Sequence, residues 1–298
     1  MEVRIERKKT QEKKTLGQWW RIFKANRVAY ISLYILIGIT LVSLFADFIA
    51  PYSPYEFDIR RAREPPSLEH PFGLDEIGRD LLSRVIHGGR YSIGIAYAAV
   101  FLGASIGVIL GLISGYYGGL IDDVIQRFTD AMLSLPTILL AIALVTVLGV
   151  GVTSLIIAVG LSTVPIYIRL TRGLALQVRN MDYVLAAKIL GKKDIYIIFR
   201  HILPNIASPI IVQSTYYLGL TILIASGLGF LGLGVPPPTP EWGAMIGRGR
   251  EFLISSPHIV AFPGLFILIT ALCFNLIGDG LRDALDPKMA KYIRRGRI

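Results

Sequence analysis

The side chains able to do chemistry are sparse, and their spacing excludes more than it admits. Gly191-Lys192 has the glycine–lysine step of a phosphate-cradling loop. That loop also needs a glycine five residues earlier, where Ala186 stands, and Ser or Thr after the lysine, where Lys193 stands. The chain is therefore expected to bind no cofactor of its own, neither ATP nor Mg. His70, His87, His201 and His258 are scattered, none one helical turn from a second ligand type, so no metal site is expected. The single cysteine, Cys273, sits in an uncharged apolar run and reads as a packing residue. No Ser/His/Asp set or carboxylate pair shares one plane, as an intramembrane hydrolase requires. Asp75, Glu76, Arg79 and Asp80 cluster, and they read as a network of exposed, individually weak ion pairs rather than a substrate site. A non-catalytic chain is expected.

Residues 181–205 are more informative. They read as a short helix, a turn at Gly191, which tolerates the left-handed backbone conformation, and a second short helix stopped before Pro204. Asn205 or Ser208 then caps the next helix. Ile195, Ile198, Phe199 and Ile202 share one stripe at helical spacing, flanked by Lys192, Lys193 and Arg200. Such a stripe suits insertion into a groove on a soluble partner. It equally suits packing against the chain's own helices, and periodicity does not choose between the two.

The elements that must position this segment are membrane spans. Of 298 residues, 53% are apolar and only 17% charged, a balance that keeps few soluble domains in solution. The net charge of +10 comes from basic residues gathered between long uncharged runs, which encodes orientation in a bilayer and does not resemble a nucleic-acid stripe. A helix needs about 20 apolar residues to cross a hydrocarbon layer about 30 Å thick. Six stretches qualify: Val28–Ala50, Tyr91–Tyr117, Ala131–Val150 with a kink at Pro136, Val152–Leu170, a run that begins after Pro204 and Asn205 and ends near Ala225 to Leu233, and Pro257–Gly278. The run from residue 28 is too long for a cleaved signal and should stay as an anchor.

With the N-terminus inside, the inner segments hold 23 Lys and Arg and the outer ones 8, so both termini are expected in the cytoplasm. Leu16, Trp19, Trp20 and Phe23 form a stripe, with Arg21, Lys24 and Arg27 off it, and predict an amphipathic helix on the inner interface. In the second span Ala99, Gly103, Gly107, Gly111 and Gly115 put a small residue at every fourth position, a ridge for close helix packing. Asp47, Arg169 and Asp279 lie near predicted helix ends and read as interfacial anchors. An ion-coupled carrier or channel would instead carry charge at the midplane and move solute without ATPases.

Ala186, Ala187, Gly191 and Ile202-Leu203-Pro204 resemble the cytoplasmic coupling loop of binding-protein-dependent ABC importer permeases. The segments His70 to Arg84, Gly227 to Gly234, Pro238 to Gly243 and Asn275 to Asp283 are similar to the dipeptide and oligopeptide branch of that family. The resemblance spans nearly the whole chain. It implies an all-α membrane protein with the type I ABC importer permease fold. By the same resemblance, the loop binding the ATPases includes Asp182, Ala186, Ala187, Gly191, Lys192, Asp194, Ile198, Arg200, Ile202 and Pro204. The family's loop opens with a glutamate where this chain has Leu185, and Asp182, one turn earlier, is the candidate for its role.

Also implied are a homologous second permease, two ABC ATPase subunits carrying ATP and Mg, and an extracytoplasmic substrate-binding protein. The implied substrate is a di- or oligopeptide, with nickel complexes or oligosaccharides as the alternatives of the same branch. The expected organisation is a cytoplasmic stretch over 1–27, a first span over 28–50 and an extracytoplasmic segment over 51–90. A permease core over 91–281 contains the loop 181–205, and a basic cytoplasmic tail covers 282–298.

Overall fold

The computed structural model describes residues 16–285; the basic stretch 1–15 and the tail 286–298 lie outside the described residues. In chain order the helices are α1 (Leu16–Ala25), α2 (Arg27–Leu44), α3 (Ala46–Ile49), α4 (Leu81–Tyr117), α5 (Gly119–Leu133), α6 (Thr137–Leu148), α7 (Val152–Arg179), α8 (Asp182–Ile189), α9 (Asp194–Ile197), α10 (Leu203–Phe230), α11 (Trp242–Gly249) and α12 (His258–Leu285). Among the described residues five segments are long and apolar enough to cross a membrane, and the bent pair α5 and α6 makes up to six.

α4, α7 and α12 outrun the apolar windows at their polar ends, whereas the first span, expected over Val28–Ala50, closes at Leu44 and the single turn α3 follows it. α4 begins at Leu81 rather than Tyr91, where the Asp80 carboxylate accepts the Ser83 amide at 2.7 Å and caps the helix. Its first turns carry Arg84, His87 and Arg90, which hide a helix from a hydropathy window. The expected third span is not one kinked helix: α5 and α6 meet at 91° across Ser134 to Pro136. Pro136 has no N–H to continue the helix and disfavours helical backbone at Leu135. α5 bears Asp122, Asp123, Arg127 and Asp130, so the apolar window found only the second limb.

α4 and α7 form the closest pair in the bundle, and the glycine ridge explains how. A Cβ built on Gly107 runs into the Tyr167 Cβ and falls 2.7 Å from the Val164 carbonyl. On Gly111 it falls 2.7 Å from the Ile168 carbonyl, and on Gly115 2.8 Å from the Ala175 Cβ; on Gly103 it runs into the Thr163 hydroxyl. Only hydrogens fit at these four positions, so the two backbones touch. Ala99, the fifth member of the series, is fully buried.

α1 forms, but it is rolled away from the expected orientation. Ile22 and Phe23 are buried against the C-terminal part of α12, where a Cβ on Gly280 would meet Phe23 at 2.9 Å, whereas Trp19 and Trp20 stay exposed. Phe23 therefore packs on protein, in the space that Gly280 leaves open, and not on lipid. Asn26 caps α2 by accepting the Ala29 amide at 3.1 Å and reaches Asp283 at 3.4 Å.

Candidate functional site

Between α7 and α10 the chain folds into a compact elbow. Asp182 lies in the first turn of α8, where a carboxylate complements the helix dipole. The helix closes on Gly191 at φ +70°, with the Gly191 amide bonded to the Lys188 carbonyl at 3.0 Å and the Lys192 amide to that of Ala187 at 3.1 Å. That pair of bonds is the Schellman closure, and the positive φ is why glycine stands there. α9 is tied to the end of α4 by the Tyr116 hydroxyl, which donates to Asp194 at 2.6 Å. Lys188 lies over the Tyr116 ring at 5.5 Å and Lys192 over that of Tyr196 at 5.6 Å.

The second helix does not stop before Pro204. It widens into a π turn over Ile198–Ile202 and continues as α10, so 194–230 is helical throughout. The wide turn absorbs the missing Pro204 N–H, and the Asn205 side-chain amide donates to the His201 carbonyl instead of capping a new helix.

The expected stripe divides. Ile198 and Ile202 turn inward with Val184, Ala187 and Ile197, packing on Leu112, Tyr116, Ala175 and Ile206, while Ile195 and Phe199 face out. Asp182, Ala186, Gly191, Lys192, Arg200 and Pro204 are exposed and Asp194 half-buried. The inward set holds the elbow on the bundle; the outward set forms an apolar tip of Ile189 (86% exposed), Leu190 (76%), Ile195 (68%) and Phe199 (57%). Ile189 and Leu190 escape a periodicity argument because they flank the turn. Two apolar residues immediately before a helix-ending glycine are the signal that could have found them.

Behind the elbow two ion pairs fasten α5 to α7. The Arg172 guanidinium donates to both Asp122 oxygens at 2.6 Å, and Arg169 meets Asp130 at 2.6 Å. Asp279 accepts the Tyr216 hydroxyl at 2.6 Å, and Asp47 pairs with Arg90 at 2.9 Å and His87 at 3.2 Å.

At the opposite end of the bundle lies a buried polar cap. Arg79 meets Asp75 at 2.6 Å and Glu76 at 2.7 Å, and Arg84 meets Asp75 at 3.1 Å. Asp75, Arg79 and Arg84 are each at most 3% exposed, so the expected weak surface pairs are interior ones, and Asp80 serves His70 (2.8 Å) and the α4 cap instead. Burial of both charges makes removal of one partner costly.

Glu241 was not singled out from the sequence as a site. It caps α11 from a fully buried position, accepting from the Ser92 hydroxyl at 3.0 Å and the Gly243 and Ala244 amides at 2.9 and 2.8 Å. Burial pushes its carboxyl above the usual carboxylate range, opposed by those three donors, and burial likewise lowers Arg248. The signal was the acid directly preceding Trp242-Gly243-Ala244, an N-cap pattern. Among the described residues no group of three or more His, Cys, Asp or Glu side chains could hold a metal.

Comparison with known proteins adds to this geometry. The sequence signature described as "Binding-protein-dependent transport system inner membrane component" matches residues 107–291, and that described as "N-terminal TM domain of oligopeptide transport permease C" matches residues 15–66. The dipeptide transport system permease protein DppC of Alkalihalophilus pseudofirmus is 46% identical over 277 residues, covering 92% of this chain and 91% of that protein. The glutathione transport system permease protein GsiD of Escherichia coli is 44% identical over 273 residues, 91% of this chain and 90% of that one. A chain of the inward-facing MetNI methionine ABC transporter superposes with a TM-score of 0.56 at 14% identity, covering 69% of this chain and 98% of that one, which fixes the type I permease fold.

Proposed function

Since the chain belongs to the family of binding-protein-dependent transport system inner membrane components and is a permease subunit of an ABC importer, we propose that it moves di- or oligopeptides across the cell membrane, driven by ATPases on separate chains. The observation that carries the ATPase part of this reading is the apolar tip Ile189, Leu190, Ile195 and Phe199, projecting from an elbow that its own core and the Asp194–Tyr116 bond hold still. Four large apolar side chains on a loop beside Lys192, Lys193 and Arg200 fit a groove on a soluble protein. Residues 181–205 are then the coupling segment, with Asp182 in place of the usual glutamate and both termini in the cytoplasm.

The peptide part rests on relatives named for dipeptide and glutathione transport, the latter itself a tripeptide. A second homologous permease completes the path, two ABC subunits bind ATP and Mg, and an extracytoplasmic binding protein delivers the substrate. The core from the start of α4 to about residue 281 carries transport, and the segment ahead of α4, 51–80, lies on the outer side. Closing of the ATPases moves the elbow and changes which side of the path is open.

The test is reconstitution of this subunit with its permease partner, the ATPase pair and the receptor in vesicles, with labelled peptide outside. ATP-dependent peptide accumulation that needs all four parts is the expected result. Uphill accumulation by this chain alone overturns the ATPase assignment, and ATP-dependent uptake of nickel complexes or oligosaccharides without peptide overturns the substrate class.

A further inference from the structure

The elbow between α1 and α2 carries a cluster that lies outside the coupling segment 181–205. Trp20 stacks on Phe23 with ring centroids 5.8 Å apart and meets the Tyr30 ring edge-on at 6.1 Å. The Lys24 ammonium is held between two of these rings, 5.1 Å from the Trp20 centroid and 5.6 Å from that of Tyr30. Arg21 and Arg27 are exposed beside it, and none of the three cations makes an ion pair among the described residues. Asp283, an acid within reach of this corner, accepts from Asn26.

We propose that this corner binds the headgroup of an anionic phospholipid. Three observations converge on that occupant. First, Ile22 and Phe23 fix α1 on α12, so the cluster is attached to the end of a membrane-spanning bundle and not to a floating helix. Second, Trp19, Trp20, Val28 and Ile31 are exposed on the same stretch, which places indoles and aliphatic side chains where headgroups meet acyl chains. Third, Arg21, Lys24 and Arg27 are exposed on this stretch and carry no ion pair among the described residues, and a cation already oriented by two aromatic faces lacks only an anion. A soluble acidic partner would meet the charges but not the adjoining apolar surface of α2.

The assembled transporter is placed in nanodiscs of phosphatidylcholine with a minor share of brominated phosphatidylglycerol, and in matched discs where the minor brominated lipid is phosphatidylcholine. Quenching of tryptophan fluorescence is then compared; the third tryptophan, Trp242, is fully buried and lies at the opposite end of α2 from this corner, where Gly89 packs against both its ring and Ser43. Stronger quenching by the anionic lipid is expected, and Lys24→Gln should weaken that preference about fivefold, as removal of one basic residue at an anionic surface does. The Arg21→Gln/Lys24→Gln/Arg27→Gln variant should abolish the preference while leaving quenching by brominated phosphatidylcholine unchanged, which shows that α1 is still seated. Equal quenching by the two lipids in the wild type, or a preference that survives the triple substitution, overturns the proposal.

Discussion

Replacing Ile189 by aspartate should detach the ATPases without unfolding the permease. Ile189 is 86% exposed and touches none of the three hydrophobic clusters, so its substitution should change the stability of the chain by no more than about 0.5 kcal/mol. If the side chain enters a groove, docking buries nearly all of an isoleucine, worth about 2 kcal/mol, and aspartate forfeits that and adds the desolvation of a carboxylate. Association should weaken by about 30-fold or more. The assay is titration of purified ATPase subunits onto the reconstituted permease pair, read by binding and by substrate-stimulated hydrolysis, beside a melting curve of the permease alone. Ile189→Asp with unchanged affinity and uptake would refute the docking face, as would a variant whose melting temperature falls in step with its affinity.

Gly107→Ala should lower stability by about 1–3 kcal/mol, because its methyl group meets Tyr167 and the Val164 backbone. Thermal unfolding in detergent measures it, with Gly38→Ala, whose exposed position in α2 has nothing within reach of the added methyl, as a control expected to raise stability by about 0.5–1 kcal/mol. Gly191→Ala should cost about 1–2 kcal/mol at φ +70° although nothing crowds the position, and should lower uptake more than insertion, read by transport against membrane yield. Glu241 holds its proton to higher pH in the folded chain than in the unfolded one. Its contribution is therefore full below the ordinary carboxylate range and declines as pH rises through the raised value; Glu241→Gln should flatten this part of a melting-temperature profile against pH.

The spans were legible because a bilayer crossing demands an uninterrupted apolar length, and the ridge from Gly103 to Gly115 because a glycine at every fourth position has one geometric use. The features that stayed hidden depend on contacts distant in the chain. Arg79 read as a surface charge, since only tertiary placement of Asp75 between it and Arg84 makes burial tolerable. The 91° break after α5 was hidden by a proline that a membrane helix can accommodate, and the bonds that hold the bent limb to α7 come from Arg172 and Arg169, fifty and thirty-nine residues away in the chain. The division of the stripe at Ile198 and Ile202 depended on which face met Leu112 and Ala175, and no periodicity records that.

The uninterrupted course of the helix from Asp194 to Phe230 has a thermodynamic corollary. At about 1.5 Å per residue its 37 residues reach about 55 Å, well beyond a hydrocarbon layer of about 30 Å, so the helix is long enough to reach both aqueous phases. Near one tip Asp194 is bonded to Tyr116; near the other Gly229 is pressed against Glu241, leaving no room for a methyl group. A stiff element with both ends anchored makes the two compartments reciprocal: whatever free energy a protein bound on one side contributes to shifting this rod, a protein bound on the other side must feel by the same factor.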